Sequence, residues 1–218
     1  MKISIAGEVY SIVPKTSLGI LSYKVTVVPS NLEFTNLFED TVAKLSQEYS
    51  IEKIAKNPHV FSTREAYKAL GKSPQEYRNA AEAMLRRIVQ GKGLYHINNI
   101  VDVNNLISIT SGYSIGSYDA KHLKGNIELC RAESGSPYDG IGKNNINIEY
   151  LPTLYDELGA FGNPTSDSKR AMIQPGDRDI ITVIYSFDGS EELNYWMEEF
   201  SLYLTDYCGV MKVERWIV

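Results

Sequence analysis

Polar and hydrophobic positions alternate through residues 20–28, where β-branched side chains dominate, and that period of two predicts a strand. A shorter strand is expected at residues 3–5, and Pro29-Ser30-Asn31 interrupts the pattern after the second. From Phe34 to about Ile54 the period lengthens to that of a helix, with Asn57-Pro58 as its stop. Ser62-Thr63-Arg64-Glu65 has the spacing of a capping box and predicts a helix over residues 63–70, closed by Gly71. Ser73-Pro74-Gln75-Glu76 repeats the signal with proline at the first helical position. Behind it Tyr77, Ala80, Ala81, Met84, Leu85 and Ile88 fall on one helical face, and Gly91 ends the run. The opposite face carries Arg78, Glu82 and Arg86 four residues apart, which reads either as a solvated ion-pair ladder or as an RNA-contacting row.

The texture changes after Gly91. A short helix is expected over residues 102–111 with Asp102 as its cap, strands at 127–130 and 180–187, and mostly loop through 151–170, where Gly159, Gly162 and Pro164 recur. Residues 190–207 form an amphipathic helix with Leu193, Trp196, Met197, Phe200 and Leu204 on one side, and residues 211–218 close the chain as a strand. No repeat, low-complexity tract or linker divides the chain. The expectation is one α+β domain over 1–218, with 1–60 as an N-terminal strand and helix extension.

Composition narrows the class. The 218 residues are 43% hydrophobic and 22% charged, ordinary for a packed domain and far from disorder. No apolar run approaches the length needed to cross a bilayer, and Glu8 interrupts what would be a signal core, so a cytoplasmic protein is expected. Two cysteines in unrelated contexts, Cys130 and Cys208, read as reduced packing residues. The net charge of −5 argues against a general nucleic-acid binder and against DNA. Residues 64–92, however, hold seven basic side chains against three acidic ones, so one basic element can attract an anionic partner.

Standard catalytic signatures do not appear. His59, His96 and His122 are not paired at metal-ligand spacing and lie away from both cysteines, so no metal and no cofactor is expected. Gly91-Lys-Gly93 and Gly140-Ile-Gly142 are too short to cradle a phosphate, and Gly112-Tyr-Ser-Ile-Gly116 follows a helix where a nucleophile elbow would follow a strand. Two polar clusters remain, residues 91–119 and residues 162–170. Their glycines allow close approach of backbone to ligand, and their asparagines offer donors and acceptors. Turn and cap chemistry explains both clusters as well as a ligand site does.

The segments Tyr67-Lys-Ala-Leu-Gly71, Tyr77-Arg78, Ala83-Met-Leu-Arg-Arg87, Gly91-Lys-Gly-Leu-Tyr95, Asn98-Asn-Ile-Val-Asp-Val-Asn-Asn-Leu106 and Gly116-Ser-Tyr-Asp119 closely resemble the B3/B4 module of the phenylalanyl-tRNA synthetase β chain, and in particular its free-standing bacterial relatives. Asp139-Gly-Ile-Gly142 and Gly162-Asn-Pro-Thr-Ser-Asp-Ser168 extend the match across 64–187. The resemblance implies a three-layer fold with a β-sandwich of unusual topology flanked by helices. It also implies a pocket for the aminoacyl end of a tRNA, in a module that hydrolyses wrongly formed tyrosyl-tRNA. Residues 100–107 match a pocket helix of that module, with Asp102 and Asn105 at matching positions. The arginine before that helix falls on Tyr95 and a pocket histidine falls on Gly116, so two of the family's polar groups are replaced here. The synthetase's charging and tRNA-anchoring domains are absent over this length.

The expected aminoacyl pocket therefore draws on Tyr95, His96, Asn98, Asn104, Asn105, Ser114, Gly116, Tyr118, Gly162, Thr165, Ser166 and Asp167. Arg78, Arg86, Arg87, Lys92 and Arg170 are the expected RNA contacts, with tRNA or aminoacyl-tRNA as partner. Three functions follow. The first is ester hydrolysis in trans, with amides of residues 112–116 stabilising the oxyanion. The second is non-catalytic binding of RNA or an amino-acid-like ligand. The third is a scaffold that exposes Trp196 and Phe200. A concave pocket between residues 95–105 and 162–170, with an ionisable group pointing into it, is the observation that separates the first two from the third.

Overall fold

The computed structural model describes all residues, Met1–Val218. In chain order the elements are β1 (Ile3–Ile5), α1 (Gly7–Ile12), β2 (Ser17–Val27), α2 (Leu32–Glu48), α3 (Ile51–Lys56), α4 (Pro58–Leu70), α5 (Ala80–Val89), α6 (Asn99–Ser111), β3 (Ser114–Asp119), β4 (Ile127–Arg131), β5 (Pro137–Gly140), β6 (Lys143–Asn147), β7 (Pro152–Asp156), β8 (Gly159–Gly162), β9 (Gly176–Ser186), α7 (Leu193–Cys208) and β10 (Val213–Ile217). The strands make two four-stranded sheets, ordered β1-β4-β7-β8 and β10-β2-β9-β3, and the β5–β6 hairpin stands apart. Only β1 and β4 run parallel.

The second sheet is covered on both faces, which is why every residue of 180–187 is buried. Along β9, Ile181, Val183 and Tyr185 face the first sheet, in a core shared with Leu18 of β2, Leu129 and Phe161. Ile180 and Ile184 face the other way, with Leu21, Tyr23 and Val25 of β2, against the helices. That helical core takes Phe34 and Phe38 from α2, Leu85 and Ile88 from α5, Val103 and Ile107 from α6, and Met197 and Phe200 from α7. Helices, sheet and sheet are the three layers of an α+β sandwich. No helix is long and apolar enough to cross a membrane.

Several boundaries differ from the sequence expectation, each for a local reason. The helix expected over 34–54 is two, because Ser50 leaves the helix and caps α3 through Lys53 N. Asn57-Pro58 starts a helix as well as ending one. The Asn57 side chain accepts from His59 N and Val60 N, and Pro58 occupies the first turn of α4. Ser62 and Thr63 are not caps; both hydroxyls donate back to His59 O inside α4. Likewise α5 begins at Ala80, not at Pro74, because Asn79 caps it through Glu82 N. Asn98 caps α6, and Asp102 lies buried inside that helix. Finally, residues 151–170 contain β7 and β8, short strands around Gly159 that read as loop.

One glycine position is decided by close packing. Gly112 ends α6 in the left-handed region at φ 90°, and a Cβ there would lie 2.2 Å from Asn57 Oδ1. The same asparagine donates Nδ2–H to Ser111 O at 3.3 Å, so one residue closes α3 through its backbone N–H, and with its side chain starts α4 and ties down the end of α6.

Candidate functional site

The loop after β8 is built by Asn163, whose side-chain oxygen accepts from Thr165 N and Ser166 N. Pro164 O takes the first amide of α5, Ala80 N, at 2.7 Å. Tyr138 of β5 donates its hydroxyl to Ser166 O, and Ile141 N donates to Asp167 O. The loop is thereby pinned between the start of α5 and the β5–β6 hairpin.

Opposite it stand the N-terminal half of α6 and the outward side of β3, where Ser117 donates to Asn104 Oδ1 at 3.0 Å and Asn104 Nδ2 donates to Ile115 O at 3.1 Å. Because the amide oxygen can only accept, Thr182 must donate to Ser117, and Tyr23 to Thr182, giving a directed chain from the sheet interior to Asn104.

Between these walls lies a cavity of about 360 Å³ lined by Asn98, Asn104, Asn105, Ser117, Thr165, Ser166 and Asp167, with Met84, Ile97, Val101, Ile115 and Met172 among its apolar residues. This is the size and mixture expected of a small-ligand site. Asp167 is the one ionisable side chain in its lining. Its Oδ1 accepts the Tyr118 hydroxyl at 2.8 Å, and Tyr118 in turn accepts from Tyr185 at 2.8 Å. Burial pushes the Asp167 carboxyl up to about 7, against the Tyr118 hydrogen bond, which holds it down. Ser166 Oγ is buried and has no hydrogen-bond partner.

A second concavity, about 630 Å³, shares Ile141, Thr165 and Ser166 with the first. Its lining includes four cations, Arg78, Arg86, Arg87 and Lys143, and one carboxylate, Glu76. Arg86 is held from beneath by Glu82, which is fully buried and also takes two contacts from Arg64 near 3 Å. Arg78 lies 3.9 Å from the same carboxylate. The Arg78–Glu82–Arg86 row is therefore neither a solvated ladder nor a bare RNA face, but guanidiniums gathered on one buried anion.

The structure thus brings together six of the expected pocket residues, Asn98, Asn104, Asn105, Thr165, Ser166 and Asp167. Others sit elsewhere. Tyr95 is 73% exposed under the Arg87 guanidinium. His96 bridges Glu39 and Asp102, with burial opposed by those carboxylates and its pKa raised on balance. Ser114 is buried against Asn79. Gly116 and Gly162 both lie under the Tyr118 ring: a Cβ at either would come within about 2 Å of the hydroxyl oxygen, 2.0 Å and 2.1 Å respectively. The histidine of the resembling family has no room at Gly116 while Tyr118 lies there. Tyr118 acts from below the cavity, through Asp167.

Among the expected RNA contacts, Arg170 chelates Asp156 and two backbone carbonyls, and Lys92 lies outside the groove's lining. Of the amides at residues 112–116 expected to stabilise an oxyanion, the first two are engaged within the fold. Gly112 N is spent on Ser108 O, Tyr113 N on Ser111 Oγ, and β3 begins at Ser114. Phe200 is buried and Trp196 packs against the helical core, so they form no exposed patch. Lys143 and the apolar cavity residues escaped notice because nothing local marks them.

A β-sandwich under helices, with a mixed cavity opening beside a basic groove, defines an α+β domain with a candidate ligand site. The chain belongs to the B3/4 domain family, whose model matches residues 62–196. The structure is similar to an N-terminal fragment of the phenylalanyl-tRNA synthetase β-subunit from Pyrococcus horikoshii, at 12% identity and a TM-score of 0.50. The similarity covers 97% of this chain and 50% of that one, so the chain spans about half its length. No curated protein matches this sequence.

Proposed function

We propose that this protein binds the aminoacyl end of a tRNA, with the RNA backbone in the basic groove and the aminoacyl group in the cavity. The observation that carries the reading is the shared wall of Ile141, Thr165 and Ser166, which puts a partly apolar, amino-acid-sized cavity directly beside four cations. Family membership supports the same reading, because the similar synthetase subunit belongs to a tRNA-charging enzyme. The reading stops at binding. Of the amides expected to stabilise an oxyanion, Gly112 N and Tyr113 N are taken up within the fold, and ester hydrolysis needs such donors at the developing charge.

Titration of labelled aminoacyl-tRNA against a salt series tests this. Single-stranded contacts give a log–log slope of about −0.7 per neutralised phosphate, so Arg87→Ala with Lys143→Ala is expected to flatten the slope by about 1.4. Salt-independent binding, or none, refutes the proposal. The amino acid is expected to leave the bound RNA at its spontaneous rate; faster release would make the protein an editing hydrolase.

A further inference from the structure

The cavity has an electrical asymmetry that the groove does not share. Fifteen residues line it; none is Lys, Arg or His, and one, Asp167, carries a carboxyl. Oδ1 of that carboxyl is taken by Tyr118, whereas Oδ2 receives no hydrogen bond from the protein. The cations of the groove stand on the far side of Thr165 and Ser166. A carboxylate held this way, half-buried, has lost part of its water without gaining an opposite charge, an arrangement that costs stability unless a ligand supplies the charge. Around it are apolar side chains, Met84, Ile97, Val101, Ile115 and Met172, together with the unpaired Ser166 hydroxyl.

An anionic ligand group would be repelled here and belongs in the groove. A cationic donor on an apolar body fits both the charge and the walls.

We propose that Asp167 receives the protonated α-amino group of the ligand, so that the cavity takes free primary amines of amino-acid size and rejects their N-acylated forms. The assignment rests on the aminoacyl-end reading above and names the contact that recognises it. An ammonium at Oδ2 makes a charge-assisted hydrogen bond while Tyr118 keeps Oδ1, leaving the carboxyl of the amino acid, esterified or amidated, directed away from Asp167 and towards the groove wall. The raised carboxyl supports the same contact. At pH 6 Asp167 is largely protonated, and an ammonium arriving there must displace that proton to form the pair.

Calorimetry on the full chain with L-phenylalaninamide and N-acetyl-L-phenylalaninamide tests the proposal. The free amine is expected to bind at least about tenfold more tightly than the acetylated probe, the least a lost charge-assisted hydrogen bond implies. Asp167→Asn, which retains an acceptor for Tyr118, is expected to abolish that preference. The wild type provides a readout independent of how the variant folds: at pH 6, titrations in two buffers of different ionisation enthalpy should show net proton release on binding the amine. Equal affinity for the two probes, or binding at pH 6 without proton release, overturns the assignment. Equal affinity would instead mark a hydroxyl- or amide-reading carboxyl. If neither probe binds while aminoacyl-tRNA does, the ammonium contact fails and the RNA reading stands. If the free amine binds as described and tRNA does not, the amine site stands and the RNA reading fails.

Discussion

Replacing Tyr118 by Phe removes a single oxygen from the floor of the cavity, and its consequences can be worked through from the structure. The ring lies across Gly116 and Gly162, and the hydroxyl bridges Asp167 Oδ1 and Tyr185 OH at 2.8 Å each. The phenylalanine ring keeps the packing, so what is lost is two hydrogen bonds. The neutral one is worth about 1 kcal/mol and the one to a carboxylate about 2 kcal/mol, giving about 3 kcal/mol when Asp167 is ionised. For a domain of this length, that corresponds to a fall in Tm of roughly 6–12 °C.

The pH dependence adds a second signature. Asp167 is held near 7 in the folded protein, above its unfolded value of about 4, so the native state retains a proton that the unfolded chain releases. Stability therefore declines as pH rises through that window. Tyr118 holds the Asp167 value down, so Tyr118→Phe moves the upper edge of the window higher and deepens the decline. Urea unfolding at pH 5 and pH 8, with a carboxyl carbon NMR titration of Asp167, measures both effects. A loss below about 1 kcal/mol at both pH values, or an Asp167 midpoint at or below the wild-type value, refutes this account of the floor.

Three further perturbations follow. Gly112→Ala places a methyl group against Asn57 and a non-glycine residue at φ 90°, so combined strain and cap loss should cost about 2–4 kcal/mol, measurable by urea unfolding. Glu82→Ala strips the buried partner from Arg64 and Arg86 and is expected to destabilise by about 3 kcal/mol or more; a thermal shift under 2 °C contradicts it. His59 lies between Asp188 and Glu192. Burial pushes its pKa down, but the two carboxylates outweigh it and the balance is raised. Its contribution is complete below pH 6 and fades as pH rises through the raised value, so His59→Gln should cost more stability at pH 5.5 than at pH 9. Equal losses at the two pH values rule this out.

The layers of this fold were legible because periodicity reports which face is buried: two-fold in β2, three-to-four-fold in α5 and α7. Helix starts were less legible, since Ser62 and Asn57 are both good caps in isolation. The choice between them depends on Ser111 O, a partner 54 residues further along the chain. Short strands such as β7 and β8 exist because β4 is there to pair with them, which no local pattern states. In the cavity, Asn104, Asn105 and Thr165–Asp167 announced themselves as polar groups among glycines. Met84 and Met172 did not, since an apolar residue in a cavity and one in a core look alike until the fold brings the walls together. The replacement of histidine by Gly116 was visible, but its cause was not: Tyr118 occupies the space two residues on.

The wall formed by Ile141, Thr165 and Ser166 has a further consequence when the two concavities are treated as two half-sites joined at fixed distance. A ligand that spans the wall binds its second half at an effective concentration in the millimolar range, so its affinity approaches the product of two weak ones. Each half alone, a free amino-acid amide or a bare oligonucleotide, is then expected to bind measurably but far more weakly than the joined ligand. Cutting the bond between the halves would release both, so the protein would distinguish charged tRNA from its separated parts whether or not it cuts that bond itself.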